Sequence, residues 1–141
     1  MLLIDANIFL ELMLDQARAD ECERFLAAVE DGSHGAFITD LALDSILIVM
    51  EHKGKSPSEL ATFISSIATY RGLKLYWLSL VDRLHATVHM SRRGLDFEDS
   101  TTLEAARRLS AEGIVSFDED FDGLPDARRL EPKDLLQRYK P

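Results

Sequence analysis

Leu2-Leu3-Ile4-Asp5-Ala6-Asn7-Ile8-Phe9 places a run of three apolar residues directly before a carboxylate, and a new apolar-periodic segment begins at Ile8. A short, uniformly apolar run predicts a strand buried on both faces, as in a parallel sheet, and a helix-like stretch follows from Ile8. An acid at the C-terminal end of such a strand lies where open α/β sheets bind ligands. Ile114-Val115-Ser116-Phe117-Asp118 repeats the arrangement near the other end of the chain. If the two strands are neighbours in one parallel sheet, Asp5 and Asp118 emerge at the same edge.

The segments between them alternate in period. Residues 15–30 set Ala19, Cys22, Phe25, Leu26 and Val29 at spacings of three and four, which predicts an amphipathic helix stopped by Gly32. Residues 36–38 predict a second strand, and Thr39 or Asp40 caps a mostly apolar helix to about His52. Ser56-Pro57-Ser58-Glu59 joins a cap, a proline at the first helical position and an acid three residues past the cap, opening a helix to about Tyr70. A strand over 73–78 follows, then a helix capped by Ser79 and Asp82 that runs to Arg92 and closes at Gly94. A helix over 97–111, a strand over 114–117, a strand near 128–130 and a last helix from Glu131-Pro132 complete the pattern. Strands separated by helices of this length predict an α/β fold with a central, mostly parallel sheet of four or five strands and helices on both faces.

The bulk composition sets limits. With 141 residues, 46% hydrophobic and 29% charged, the chain reads as one globular domain over 1–141. No apolar run approaches the ~20 residues of a membrane span, so a soluble, cytoplasmic protein is expected, with no membrane partner. Cys22 is the only cysteine, which excludes an internal disulfide and a cysteine-based zinc site. A formal net charge of −9 opposes broad attraction to phosphate backbones, yet carboxylates that hold a cation add to that total while the bound ion reverses the local field.

Asp44 interrupts an apolar helix between Leu43 and Ile46, a costly place for a carboxylate unless it is paired, binds a metal or faces solvent in a notch with Asp40 and Glu51. Asp99 falls in the first turn of its helix, where the dipole favours negative charge whether or not it does chemistry. Several carboxylates brought together repel one another, and unless a cation is present at least one takes up a proton. Hard divalent ions such as Mg²⁺ or Mn²⁺ satisfy such a site, and the chemistry suits phosphodiester hydrolysis.

Four segments together resemble the acidic motifs of PIN domains: Leu3-Ile4-Asp5-Ala6-Asn7-Ile8-Phe9, the helix carrying Asp44, Phe97-Glu98-Asp99-Ser100, and Ile114-Val115-Ser116-Phe117-Asp118-Glu119-Asp120-Phe121. Their order and spacing fit the chain from Met1 to the Glu131-Pro132 region, and the similarity is closest to the VapC-type toxins of toxin–antitoxin pairs. The resemblance implies a Rossmann-like sandwich, a homodimer, an antitoxin partner, and Mg²⁺- or Mn²⁺-dependent endoribonuclease activity on RNA that leaves a 5′-phosphate. It implies Asp5, Asp99 and Asp118 as metal ligands, Asp44 as the acid completing the set, and Asn7 and Ser116 as hydrogen-bonding groups that orient them or a bound water. The family commonly has Glu where this chain has Asp44, one methylene shorter, which leaves Glu51 as a substitute. Asp120 is the substitute for Asp118, and Asp122 reads as a solvated turn residue.

Paired arginines at 92–93, 107–108 and 128–129 could contact RNA phosphates, with Arg92 and Arg93 favoured because they closely precede Asp99. His85 and His89 share a helix face without forming a zinc-like set. Rival readings are a catalytically weak or inactive PIN-like binding module, an RNA-processing nuclease without an antitoxin, and a phosphotransfer enzyme with Asp5 as nucleophile. The last would want an acid at position 7, where this chain has Asn7.

Overall fold

Five strands form one wholly parallel sheet in the order β3-β2-β1-β4-β5: β1 (Leu2–Ile4), β2 (Ala36–Thr39), β3 (Leu73–Tyr76), β4 (Ile114–Val115) and β5 (Arg129–Leu130). The computed structural model describes residues 1–137. Among these residues seven α-helices connect and follow the strands: α1 (Ala6–Met13), α2 (Ala19–Glu30), α3 (Asp40–His52), α4 (Pro57–Ile67), α5 (Leu80–Arg93), α6 (Phe97–Arg108) and α7 (Pro132–Gln137). Among the described residues no helix is long and apolar enough to cross a membrane.

β1 lies at the centre and pairs β4 through Leu3↔Ile114 and Ile4↔Val115. Leu2, Leu3 and Ile4 are all buried, as a strand covered on both faces requires. Their side chains alternate between two cores. Leu2 and Ile4 join Phe9, Phe25, Ile46 and Phe63 on one face, while Leu3 joins Ala105, Ile114 and Phe121 on the other. The larger core is built by α1, α2, α3 and α4, and α6 supplies the smaller one.

Cap chemistry accounts for most helix starts. The Thr39 hydroxyl accepts the Ala42 N–H, and Ser56 accepts the Glu59 N–H with Pro57 in the first turn. Ser79 and Asp82 form a reciprocal capping box for α5, which ends at Gly94 in the left-handed region with φ 68°. Several boundaries differ from the periodicity. The first helix begins at Ala6 rather than Ile8, because Asp5 is its cap. The second begins at Ala19 rather than residue 15, because Asp15 adopts φ 51° and the chain turns before re-entering helix. The fourth helix stops at Ile67 rather than near Tyr70, and β3 stops at Tyr76, where the chain turns toward the α5 cap. β4 ends at Val115 rather than 117: Ser116 still donates to the Leu130 carbonyl, but Asp118 caps a 3₁₀ turn over Glu119–Phe121.

One glycine governs how closely β4 approaches β5. A Cβ on Gly113 would lie 2.8 Å from the Arg128 carbonyl oxygen and 2.8 Å from a Leu130 methyl. Gly113→Ala is therefore expected to destabilise the fold by about 2 kcal/mol, the usual scale for overpacking a close contact. A urea or guanidinium titration with an unchanged midpoint would contradict it.

Candidate functional site

The β1–β4 pairing sets Asp5 beside Ser116 at the C-terminal edge of the sheet. Asp5 is 6% exposed, and its two oxygens are engaged by different partners. Oδ1 accepts the Ala6 backbone N–H at 2.8 Å, and Oδ2 accepts the Ser116 hydroxyl at 2.7 Å and the Asn7 amide at 3.3 Å. The Asn7 amide also reaches Ser116 Oγ at 3.1 Å, and its carbonyl oxygen accepts the Phe117 N–H at 3.4 Å. Ser116 Oγ in turn accepts the Asp118 N–H at 3.0 Å. These bonds span 111 residues of sequence and lock the two strand ends into one polar unit.

Asp118 caps the following 3₁₀ turn by accepting the Asp120 N–H at 2.9 Å. α6 contributes Asp99 from its first turn, where the Asp96 side chain caps the helix by accepting the Asp99 N–H at 2.8 Å. Asp99, Asp118 and Asp120 can each offer a carboxylate oxygen such that all lie within 4.8 Å of one another. Asp99 is buried, Asp118 half-buried and Asp120 exposed, so the group opens to solvent on one side.

Burial and mutual repulsion leave their mark on proton affinity. Asp99 is pushed up to about 8, first by burial and then by the charges of Asp118, Asp96 and Asp5, with a hydrogen bond to Asp118 acting in the same direction. Asp5 is raised to about 6 by burial, opposed by its hydrogen bonds from Ser116 and Ala6 and assisted by the charges of Glu98 and Asp118. Without a cation, burial and the neighbouring charges therefore favour the protonated form of Asp99. The whole donor set is carboxylate and hydroxyl oxygen, which matches hard divalent ions rather than zinc-type nitrogen and sulfur sites.

The other candidates from the sequence fall elsewhere. Asp44 is exposed and is not among the acids whose oxygens converge, and Glu51, two turns along α3, is exposed as well. Asp40 on the same helix is half-buried, accepts the Leu78 N–H at 3.0 Å and pairs with Arg83 at 3.4 Å. Asp122 is exposed but bound to Arg129 at 2.7 Å, so the turn is ion-paired as well as solvated. Asp120 belongs to the converging group alongside Asp118. Arg93 pairs with Asp126 at 3.0 Å, and Arg92 is exposed on the same helix end.

Two further features, at Ser100 and Glu104, carry no motif of their own in the sequence. Ser100 Oγ, fully buried one residue past Asp99, has no hydrogen-bond partner among the described residues. Glu104, 3% exposed, gathers His85 and His89 at 3.2 and 2.9 Å. The His85/His89 spacing on one helix face was the available signal. A Glu flanked by Leu103 and Ala105 on the neighbouring helix was its partner.

A family profile for the PIN domain matches residues 1–120. No curated protein matches the chain in sequence. Among solved structures, the chain is similar to Mycobacterium tuberculosis VapC20, described as a sarcin–ricin-loop-cleaving toxin, with TM-score 0.73 and 16% identity over 91% of this chain and 99% of that one. It is also similar to a chain of a toxin–antitoxin complex from Klebsiella pneumoniae, with TM-score 0.71 and 15% identity over 94% and 98% of the two chains. Rickettsia felis VapBC2, bound to a DNA fragment from its promoter, gives 0.69 and 13% over 92% and 97%. At such identities the structural similarity speaks for the fold, and the profile match over residues 1–120 carries the family: the chain belongs to the PIN domain family.

Proposed function

We propose that this PIN domain is a divalent-metal-dependent endoribonuclease and the toxin of a toxin–antitoxin pair. The observation that carries the reading is the convergence of Asp99, Asp118 and Asp120 within 4.8 Å beside the buried, hydrogen-bonded Asp5. Burial, together with the charges of Asp118, Asp96 and Asp5, raises the Asp99 carboxyl to about 8, which is the electrostatic counterpart of a cation site. Asp5, Asp99 and Asp118 would hold Mg²⁺ or Mn²⁺, with Asp120 as an additional oxygen donor at the solvent side. When bound, the ion supplies charge neutralisation at the scissile phosphate and lowers the pKa of water. Ser116 and Asn7 hold the Asp5 carboxylate in one orientation, and the Ser116 hydroxyl ties Asp118 to it through the Asp118 N–H. The antitoxin partner and the RNA substrate are supported by the structural similarity to toxins and their complexes.

The exposure of Asp44 favours a second reading, in which a site lacking a fourth converging acid is catalytically weak and the domain acts mainly by binding. A second copy of the chain is the proposed occupant of an apolar face at the start of α5, where Trp77, Leu80, Val81 and Leu84 are 71, 85, 52 and 64% exposed. Leu80, Val81 and Leu84 share a face of α5 and, with Trp77 just before the Ser79 cap, form a patch of the kind that marks an interface.

Asp5→Asn and Asp99→Asn are each expected to lower kcat/KM for RNA cleavage in Mn²⁺ by about 100-fold or more. Asp44→Asn should cost about tenfold or less if the exposed carboxylate is peripheral. Wild-type-like cleavage by carefully purified Asp5→Asn would sink the proposed active site, and a background rate in the wild type would favour the binding-module reading.

The raised acids give a pH signature. An acid whose folded pKa exceeds its unfolded value, near 3.9 for Asp, adds stability below that value and loses it as pH rises through the folded pKa. With Asp99 at about 8 and Asp5 at about 6, the metal-free protein should lose stability as pH rises from about 4 to about 8. Mn²⁺ should raise Tm more at pH 8 than at pH 5. Asp99→Asn should stabilise the metal-free protein at pH 7, seen as a higher Tm than wild type, while reducing the Mn²⁺ response. Thermal melts with equal Mn²⁺ shifts at both pH values would count against a cation site.

For the dimer, Leu84→Glu should convert the wild-type mass to that of a monomer in light scattering, with Tm of the monomer unit retained. A dimer that survives the charge would move the interface elsewhere.

A further inference from the structure

On the side of α6 away from the acid cluster, α5 and α6 enclose an open groove of about 580 Å³. Asp99 and Glu104 are five residues apart on α6, which separates them by roughly 140° around the helix and about 8 Å along it. The groove is lined by Arg92, Arg93, Arg107 and Arg108 with His85 and His89. Four of the chain's 16 Lys and Arg residues thus meet in one concavity of a protein whose net charge is −9.

The buried Glu104 organises this wall. Its oxygens take His85 at 3.2 Å, His89 at 2.9 Å, Arg108 at 3.1 Å and Arg107 at 3.7 Å. Burial pushes the Glu104 carboxyl up, but the hydrogen bonds from His89, Arg108 and His85 outweigh it and hold the group below the usual range, so it stays ionised. Arg108 also contacts Asp82 at 3.3 Å, itself fixed by the Tyr76 hydroxyl at 2.9 Å. Asp126 meets Arg93 at 3.0 Å and Arg107 at 3.6 Å across the opening. The four arginines outnumber Glu104, Asp82 and Asp126 before either histidine is protonated. Arg92 is exposed in the groove and has no acidic partner among the described residues. An ion network with only a structural task would close on itself, whereas this one presents surplus cations in a solvent-open trough.

We propose that the α5–α6 groove binds the phosphate backbone of single-stranded RNA, with Arg92 and Arg93 on α5 and Arg107 and Arg108 on α6 as the phosphate contacts and Glu104 as the residue that positions the wall. Guanidinium forks match phosphate oxygens in two-point geometry, and fixed side chains lose less entropy on binding than free ones. Two basic pairs on two helices suit an extended polyanion better than a single small anion. The choice of RNA rests on the ribonuclease reading above. The groove would supply a local electrostatic hold in a chain of net charge −9, without sequence preference, because phosphate contacts carry no base information.

Binding is measured in EDTA, where no cleavage occurs, by fluorescence anisotropy of a labelled single-stranded RNA over a salt series with wild type, Arg92→Gln and Arg92→Glu. Arg92 is exposed and, among the described residues, without an ion-pair partner, so both variants should fold, as circular dichroism and melting will show. Arg92→Glu is expected to raise Kd about tenfold at low salt, Arg92→Gln by less, and the slope of log Kd against log salt should drop by roughly 0.7 to 1 per lost contact. Wild-type Kd and slope in both folded variants would overturn the proposal, as would a wild type that does not bind RNA in EDTA. Binding of polyglutamate that is sensitive to Arg92→Glu, with RNA binding insensitive, would overturn it in favour of an acidic protein partner. RNA binding that depends on Arg92 in a protein that never cleaves with Mn²⁺ supports the groove while removing the catalytic reading. Cleavage with a KM unaffected by Arg92→Glu does the reverse.

Discussion

Parallel pairing of β1 with β4 is the constraint on which the site depends. Leu3 opposite Ile114 and Ile4 opposite Val115 bring together residues more than a hundred positions apart, and the register decides which side chains leave the sheet edge side by side. Asp5, the first residue beyond β1, then meets Ser116, the first beyond β4, at 2.7 Å. A slip of one residue would turn the alternate side chains to the opposite face and exchange the two cores. Leu3 in the smaller core and Leu2 and Ile4 in the larger one make that slip costly. Apolar packing on both faces of the sheet therefore holds the polar unit above it.

The acids over this edge are held close by structure that does not relieve their repulsion. Asp99 is kept in place by its helix and by the Asp96 cap, and Asp118 by its cap to the 3₁₀ turn. The Asp118 carboxylate cannot turn away without giving up its bond from the Asp120 N–H. Charge is relieved instead by protonation, with Asp99 raised to about 8 in the absence of a cation. A fold that keeps such a cluster carries a local electrostatic cost, the usual condition of a functional site and an uncommon one for a surface that only solvates. On the other side of α6, Glu104 solves the converse problem, one buried acid stabilised by four basic side chains. A single helix thus separates an anionic edge from a cationic groove.

Much of the fold is written in local sequence. Ser56, Ser79, Asp96 and Gly94 act as the caps their chemistry suggests, and three-residue apolar runs become strands. Where periodicity and structure differ, a nonlocal or conformational effect intervenes. Asp15 in the left-handed region delays α2, and β4 is shortened because Ser116 and Asp118 are drawn into hydrogen bonds of the site. Asp44 shows the limit of pattern within one helix. An acid interrupting an apolar run has the same sequence signature whether it faces a site or water, and here it is exposed.

By itself the sequence determined the order and type of the elements and the presence of acids after the first and fourth strands, because caps, turns and hydrophobic period act over a few residues. It also marked the PIN motifs as an ordered set. Only the tertiary structure decided that Asp120 joins Asp99 and Asp118 while Asp44 stays in solvent, and that Glu104 collects the histidines and arginines of two helices. The physical reason is that charges interact through space and burial. Both are set by how helices pack against the sheet, and a distance of a few ångströms between carboxylates has no counterpart in spacing along the chain.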